Sequence, residues 1–161
     1  MFMKVVLDPS SIMNISFADL KENIVFYITE SALNEIKDYL NKIKISKFKL
    51  YVLNPKEKTI KEIKEKLLNF VPLELLSDSD IELIALAKEL NYVLFTEDFK
   101  IQNACYFLKI KFDNFRKKII KYAYLYRKFC PNCKKFFENK YKKCKYCGED
   151  LEIKIVKKFK V

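Results

Sequence analysis

The chain has 161 residues, half apolar and a third charged, enough for one full-sized core with a small appendage. It contains no histidine, which removes Ser-His-Asp and Cys-His catalysis and all His-ligated metal sites. No apolar run has bilayer length and the N-terminus lacks the pattern of a secretion signal, so a cytoplasmic setting without membrane partners is expected. Charge is segregated. Residues 1–98 carry 13 Lys+Arg against 16 Asp+Glu, a net of −3, and residues 99–161 carry 19 against 5, a net of +14. An acidic front joined to a basic back suggests two tasks, one of them holding a polyanion. From composition alone, a lysine-rich surface kept for solubility reads equally well.

The front alternates strands and helices. Val5-Val6-Leu7 is a short, fully apolar run suited to a buried parallel strand, and Asp8-Pro9 ends it. Residues 24–28 form a second such run. Ala32, Leu33, Ile36, Leu40 and Ile43 then recur with helical spacing, which predicts one amphipathic helix over 31–43. A third strand at 50–53 precedes a helix over 56–68, with Glu57/Lys61 and Glu62/Lys66 pairs on its outer face. Ser77 opens an apolar helix over 78–90. A fourth strand spans 92–95 and a further helix 100–108, with Cys105 on its apolar face. This order predicts an α/β fold, a parallel sheet covered by helices on both sides.

Such sheets place their chemistry at the carboxyl ends of the strands. Asp8 follows the first strand and Asp98 the fourth, so neighbouring strands would bring both to one crevice. Glu35, with Asp38 after it, and Asp80, with Asp78 beside it, sit on helices that border the same place. Oxygen ligands from separate segments are what a hard cation such as Mg²⁺ or Mn²⁺ requires. Singly, each acid also suits a structural role. Asp80 lies three residues after Ser77, as in a capping box, and Asp8 and Asp98 stand beside turns. Glu35 suits a solvated helix face.

Cys130-Pro131-Asn132-Cys133 and Cys144-Lys145-Tyr146-Cys147 are separated by ten residues. Two matched pairs at that distance read as a closed, structural Cys₄ zinc site. Gly148, the only glycine, follows the second pair, where a knuckle needs left-handed backbone, whereas Lys134 holds the corresponding place after the first. The alternating stretches 120–127 and 153–161 read as strands of a zinc ribbon. Tyr122, Tyr124 and Tyr126 are expected in its core. The basic residues Lys121, Arg127, Lys128, Lys134, Lys135, Lys142, Lys143 and Lys145 are the candidate phosphate contacts. A hinge is expected within 111–118, dividing the chain into units 1–115 and 116–161.

The succession Val5-Val6-Leu7-Asp8-x-Ser10, Ser31-x-x-x-Glu35-Ile36-Lys37-Asp38, Leu76-Ser77-x-x-Asp80-Ile81 and Leu94-Phe95-Thr96-Glu97-Asp98 resembles a PIN domain. With the ribbon that follows, the whole chain resembles the archaeal-type Nin-one-binding (Nob) endoribonucleases. The resemblance implies a PIN-like sheet, metal-dependent cleavage of precursor small-subunit ribosomal RNA at its 3′ end, and work within a pre-small-subunit particle alongside assembly factors. It implies that Asp8, Glu35, Asp80 and Asp98 are the catalytic acids, with Asp8, Asp80 and Asp98 holding one or two Mg²⁺ or Mn²⁺. Ser10, Glu97 and Asp78 support them. Pro9 departs from the family's small hydroxyl residue, and Glu97 stands where Asp is frequent. Two other readings remain open: a non-catalytic RNA-binding module for ribosome assembly, and a toxin-like PIN ribonuclease.

Overall fold

A computed structural model describes residues 2–16, 23–116 and 118–161, so Lys117 of the expected hinge lies outside the described residues. The first sheet is five-stranded and entirely parallel. It contains β1 (Met3–Leu7), β2 (Ile24–Ile28), β3 (Leu50–Val52), β4 (Val93–Phe95) and β5 (Phe112–Asp113), in the order β3-β2-β1-β4-β5. Val5, Val6 and Leu7 are fully buried at its centre, as their unbroken apolar run requires. Each large side chain buried there stabilises the fold by roughly 1.5–3 kcal/mol. Because β1 and β4 pair directly, with Leu7 opposite Phe95, the residues that follow both strands leave the sheet side by side.

Six helices accompany the strands among the described residues: α1 (Pro9–Ile12), α2 (Glu30–Asn34), α3 (Tyr39–Ile45), α4 (Glu57–Leu67), α5 (Asp78–Leu90) and α6 (Phe99–Leu108). Pro9 takes the first position of α1, where the missing N–H is no loss. α5 packs on β1 and β4, and α4 lies against α5 and α6. Consequently Ile81, Leu83, Ile84, Ala85, Leu86 and Ala87 are all buried, more than one face of the helix. α5 and α6 both end on left-handed residues, Asn91 and Lys109. Cys105 of α6 is fully buried, and burial pushes its thiol well above the ordinary range.

Three expectations need correcting. The helix foreseen over 31–43 is two short helices, with Glu35 closing α2 and the Asp38 carboxylate capping α3 by accepting from Asn41 N at 2.9 Å. The cause is a change of partner: α2 packs on α5, whereas α3 packs on α1, where Lys44 Nζ donates to the Met13 carbonyl at 3.1 Å. Leu40 is left 72% exposed. Secondly, the hinge segment contributes β5 to the sheet edge. It then turns through a clamp in which both Asn114 side-chain atoms bind Lys118 backbone at 2.9 Å. Thirdly, the α4 pairs Glu57/Lys61 and Glu62/Lys66 are not among the ion pairs of the described residues, where Lys64 instead reaches Asp78 on α5.

The second sheet is antiparallel, in the order β7-β6-β8, from β6 (Tyr122–Phe129), β7 (Phe136–Phe137) and β8 (Glu152–Lys160). β8 covers one edge of β6 along its whole length, whereas β7 covers only two residues of the other. The first sheet's unit and Asn139 satisfy the groups at Tyr124 and Tyr126. Asn103 of α6 donates Nδ2 to the Tyr124 carbonyl at 3.1 Å, and its Oδ1 accepts from Tyr124 N at 2.6 Å. Tyr126 N donates to the Phe70 carbonyl at 2.8 Å, and Asn139 Nδ2 lies 3.1 Å from both the Leu68 and Tyr126 carbonyls. On the other side of the strand, Phe159 packs against Tyr106 and Phe107 of α6. The second sheet is thus docked edge-on against the helices of the first.

Replacing Asn103 by Ala leaves both Tyr124 backbone groups without their partner. A loss of about 1–3 kcal/mol in denaturant unfolding is expected, with faster amide exchange at Tyr124 and Tyr126 than in β8. Unchanged exchange at those amides would show that the docking does not depend on this side chain.

Candidate active site and metal centre

At the carboxyl ends of β1 and β4, Asp8 is only 6% exposed. One of its oxygens, Oδ2, accepts two hydroxyls: Thr96 Oγ1 at 2.6 Å and Ser10 Oγ in a short hydrogen bond. Each hydroxyl accepts in turn a backbone N–H from the turn after β4. Glu97 N donates to Ser10 Oγ at 3.0 Å and Asp98 N to Thr96 Oγ1 at 3.0 Å. Asp98 is the N-cap of α6, its Oδ1 accepting from Lys100 N at 2.7 Å. The Asp8 carboxylate is therefore tied through one hydroxyl to the backbone of Asp98.

Asp80 completes the capping box of α5 with Ser77: Oδ2 accepts from Ser77 N at 2.7 Å, and Asp80 N donates to Ser77 Oγ at 3.1 Å. Its negative charge is also felt at Asp8. Capping and proximity to the crevice are compatible, since the cap occupies one oxygen of two. Glu35 is exposed at the end of α2, and no hydrogen bond or ion pair among the described residues ties it to the other acids. Asp78 is drawn away to Lys64 at 2.9 Å with its side chain largely in solvent, so it does not support the crevice.

The electrostatics favour a cation. Burial raises the Asp8 carboxyl above its ordinary range, and Asp80 raises it further, against the lowering effect of the Ser10 and Thr96 hydrogen bonds. Glu97 Oε1 is buried without a hydrogen-bond partner among the described residues. None of the described Lys or Arg residues forms an ion pair with Asp8, Asp80, Glu97 or Asp98. Under-compensated carboxylate oxygens of this kind fit a hard divalent ion. They do not gather as tightly as the cysteines described next, which among the described residues are the one group drawn within ligand distance.

The four Sγ atoms of Cys130, Cys133, Cys144 and Cys147 all lie within 4.8 Å of one another. Cys130 and Cys147 are 3.6 Å apart, and Cys144 and Cys133 3.8 Å. A tetrahedral ion with metal–sulfur bonds of about 2.3 Å sets its ligands roughly 3.8 Å apart, so the cage has the right size, and it is too wide for disulfides. Metal-free, the four cannot share negative charge. The Cys133 thiol is pushed up to about 12, chiefly by its hydrogen bond to Cys147. Cys147, which the Glu149 backbone stabilises as thiolate, falls to about 6. Both knuckles have one backbone shape: Lys134 (φ 55) donates N–H to Cys130 O at 2.9 Å, and Gly148 (φ 77) donates to Cys144 O at 2.8 Å. Lys134 thus adopts the left-handed turn without glycine, at a cost of about 1 kcal/mol.

Among the expected phosphate contacts, Lys121, Lys134, Lys135, Lys142 and Lys145 are exposed. Lys143 is exposed but pairs with Asp150 at 2.9 Å. Two others must be withdrawn. Lys128 is buried and gives its ammonium to Glu74 at 2.8 Å, and Arg127 binds the Asn69 carbonyl at 2.7 Å, because their strand faces the first unit. The tyrosines also differ from expectation, since Tyr122 is exposed and Tyr124 and Tyr126 are half-buried along a cavity. Thr96 was not singled out from the sequence. Its signal was its place in Leu94-Phe95-Thr96-Glu97-Asp98, at the end of a strand adjoining Asp8. Tyr146 was missed too; it is exposed, with the Lys135 Nζ 4.3 Å from its ring centre.

Two outcomes are expected. Asp8 has a folded-state pKa above its unfolded value, so its protonated form stabilises the metal-free fold at low pH. That contribution is lost as pH rises through the folded pKa. Thermal melts of metal-free protein should therefore gain stability in Asp8→Asn at neutral pH, while stabilisation by added Mn²⁺ disappears. A variant no more stable than wild type without metal would contradict the strain assigned to this carboxylate. Lys134→Gly should raise the stability of the zinc-loaded protein by about 1 kcal/mol in chemical denaturation; destabilisation would refute the account of the first knuckle.

Comparison with known proteins agrees with this fold. The family model for the PIN domain of ribonuclease matches residues 5–90. Endoribonuclease Nob1 of Methanocaldococcus jannaschii is 32% identical over 156 residues, spanning 94% of this chain and 78% of that protein. Endoribonuclease Nob1 of Pyrococcus abyssi is 32% identical over 126 residues, 66% of this chain and 78% of its own length. Its counterpart from Methanothermobacter thermautotrophicus is 27% identical over 160 residues, with 93% and 92% covered. The chain belongs to the Nob1 endoribonuclease family, whose PIN domain it carries on the first sheet.

Proposed function

We propose that the protein hydrolyses one phosphodiester bond near the 3′ end of precursor small-subunit ribosomal RNA, using Mg²⁺ or Mn²⁺ at Asp8, Asp80 and Asp98. The observation that carries the reading is the buried Asp8 carboxylate, without a Lys or Arg ion pair among the described residues and tied through Thr96 to the Asp98 turn. Glu35 is retained as the fourth acid on the family resemblance, and Glu97 as an outer oxygen near the ion. Residues 1–115 form the nuclease unit and 116–161 the zinc ribbon, with Zn²⁺ on the four cysteines.

In this reading the chain's residues perform positioning. The Ser10 and Thr96 hydroxyls both donate to Asp8 Oδ2, and the Ser10 backbone adds a further hydrogen bond to the carboxylate, so the group is held in one orientation. The capping interactions of Asp80 and Asp98 fix their carboxylates on rigid helix starts, each with an oxygen to spare. A divalent ion bound there supplies the Lewis acidity that lowers the pKa of a coordinated water and neutralises charge on the phosphate. The absence of histidine leaves no competing general base of that type, and no covalent nucleophile is required. The ribbon's zinc is structural, since four cysteine ligands leave no open position. RNA contacts are assigned to Lys121, Lys134, Lys135, Lys142, Lys143 and Lys145, with pre-small-subunit particles as the setting.

The test is cleavage of a short RNA spanning the small-subunit 3′ processing site, with Mn²⁺ added or omitted, by wild type and Asp98→Asn. Asparagine is also a good N-cap, so α6 should persist. Metal-dependent cutting at one position, abolished in the variant while RNA binding persists, is expected. Tight binding without cutting under any divalent ion would favour an RNA-binding assembly module instead.

A further inference from the structure

Where the two units meet there is a cavity of about 520 Å³, walled by Phe99 of α6 and by Tyr122, Tyr124 and Tyr126 of β6. Val71 and Leu75 supply further apolar lining. We propose that this cavity receives an unpaired base of the RNA strand beside the scissile phosphate; the proposal rests on the endoribonuclease reading above.

Four features point to a base as the occupant. The first is unused aromatic surface. Elsewhere the protein packs its rings on one another, as with Phe70 and Phe107 at 4.8 Å and Phe95 and Phe115 at 4.8 Å. Among the described residues, Phe99, Tyr124 and Tyr126 make no ring–ring contact and Phe99 is 60% exposed, whereas the Tyr122 ring has the Lys158 ammonium 5.0 Å from its centre. Flat rings of this kind are the platforms on which bases stack. The second is charge. Lys100 and Lys121 line the cavity, no acid does, and neither lysine has an ion-pair partner among the described residues. A base entering with its phosphates at the lysines satisfies both surfaces, whereas an apolar protein side chain would leave the lysines unused.

The third is hydrogen bonding. Among the described residues, no group bonds to the phenol oxygens of Tyr124 and Tyr126, which leaves donors and acceptors for base edges. The fourth is position. Phe99 and Lys100 directly follow Asp98, and Lys100 N is hydrogen-bonded to the Asp98 carboxylate. A base held against Phe99 therefore places its own phosphate within a nucleotide or two of the acids. Only a single-stranded or unstacked nucleotide fits, because a base in a duplex has both faces covered.

The experiment uses the full zinc-loaded chain and short RNAs spanning the 3′ processing site, with 2-aminopurine at successive positions and no divalent ion added. One position should lose fluorescence on binding. Phe99→Ala and Tyr122→Ala, both at exposed rings, should each abolish that quenching and weaken binding about 5- to 100-fold. Phe99→Tyr and Tyr122→Phe should preserve both, and the same sequence as a duplex should show no quenching. Circular dichroism and zinc content verify folding of each variant. Quenching that survives both alanine substitutions, or RNA binding that is tight with no quenched position, overturns the proposal and leaves the cavity to a protein partner. Neither result touches the cleavage assay with Mn²⁺, so the nuclease reading stands or falls separately.

Discussion

An eight-residue strand with most of one edge left without a partner strand is the constraint on which the arrangement of this molecule depends. β8 covers one side of β6, but at Tyr124 and Tyr126 the other side has backbone donors and acceptors and no strand to meet them. Such groups cannot be buried without partners. The first unit meets three of them with a side-chain amide and a carbonyl, Asn103 and Phe70, and Asn139 of the ribbon meets the Tyr126 carbonyl. Because Asn103 lies within α6, and Asp98 caps the same helix, one ten-residue rod of about 15 Å carries both an acid of the proposed site and the grip on the ribbon. The ribbon's lysines are thereby placed relative to the acids by rigid structure instead of by a linker.

The crevice illustrates the opposite choice to an ion pair. A lysine beside Asp8 would relieve its burial and restore an ordinary carboxylate pKa, but would also occupy the place a cation needs. Two neutral hydroxyls hold the group in orientation without cancelling its charge. The cost is a carboxylate whose ionised form is disfavoured in the metal-free fold. In the proposed site, this is a position kept at the expense of stability.

Much of this was legible in the sequence. Fully apolar runs such as Val5–Leu7 announce buried parallel strands, helical spacing announces α4, α5 and α6, and the paired cysteines announce their cage. The residues after β1 and β4 could be placed at one crevice because parallel sheets impose it. The remainder depends on tertiary contacts that leave no local period. β5 is two residues long and cannot alternate. The division of α2 from α3 reflects which helix each half covers, and Leu40 and Ile43 keep their apolar spacing although exposed. Lys128 reads as a surface charge until the ribbon docks and brings Glu74 to it. Lys134 looked like a departure from the knuckle pattern, yet its backbone takes the shape a glycine would, because the Cys130 carbonyl needs that N–H.

The tyrosines of β6 follow the same logic. Alternation along 120–127 correctly divides the strand into two faces, but alternation cannot say what each face meets. Had the ribbon packed face-on, the three rings would have been buried in a shared core. Edge-on docking, imposed by the backbone requirements of Tyr124 and Tyr126, aligns hydrogen bonds at that edge and leaves the side-chain packing on α6 to Phe159. The strand's pleat then carries its rings beside the start of α6, and a cavity is left between them, lined by Phe99, Tyr122, Tyr124 and Tyr126. The cavity is a geometric consequence of satisfying a strand edge with a helix, and Phe99 and Lys100, the residues that follow the Asp98 cap, form part of its wall.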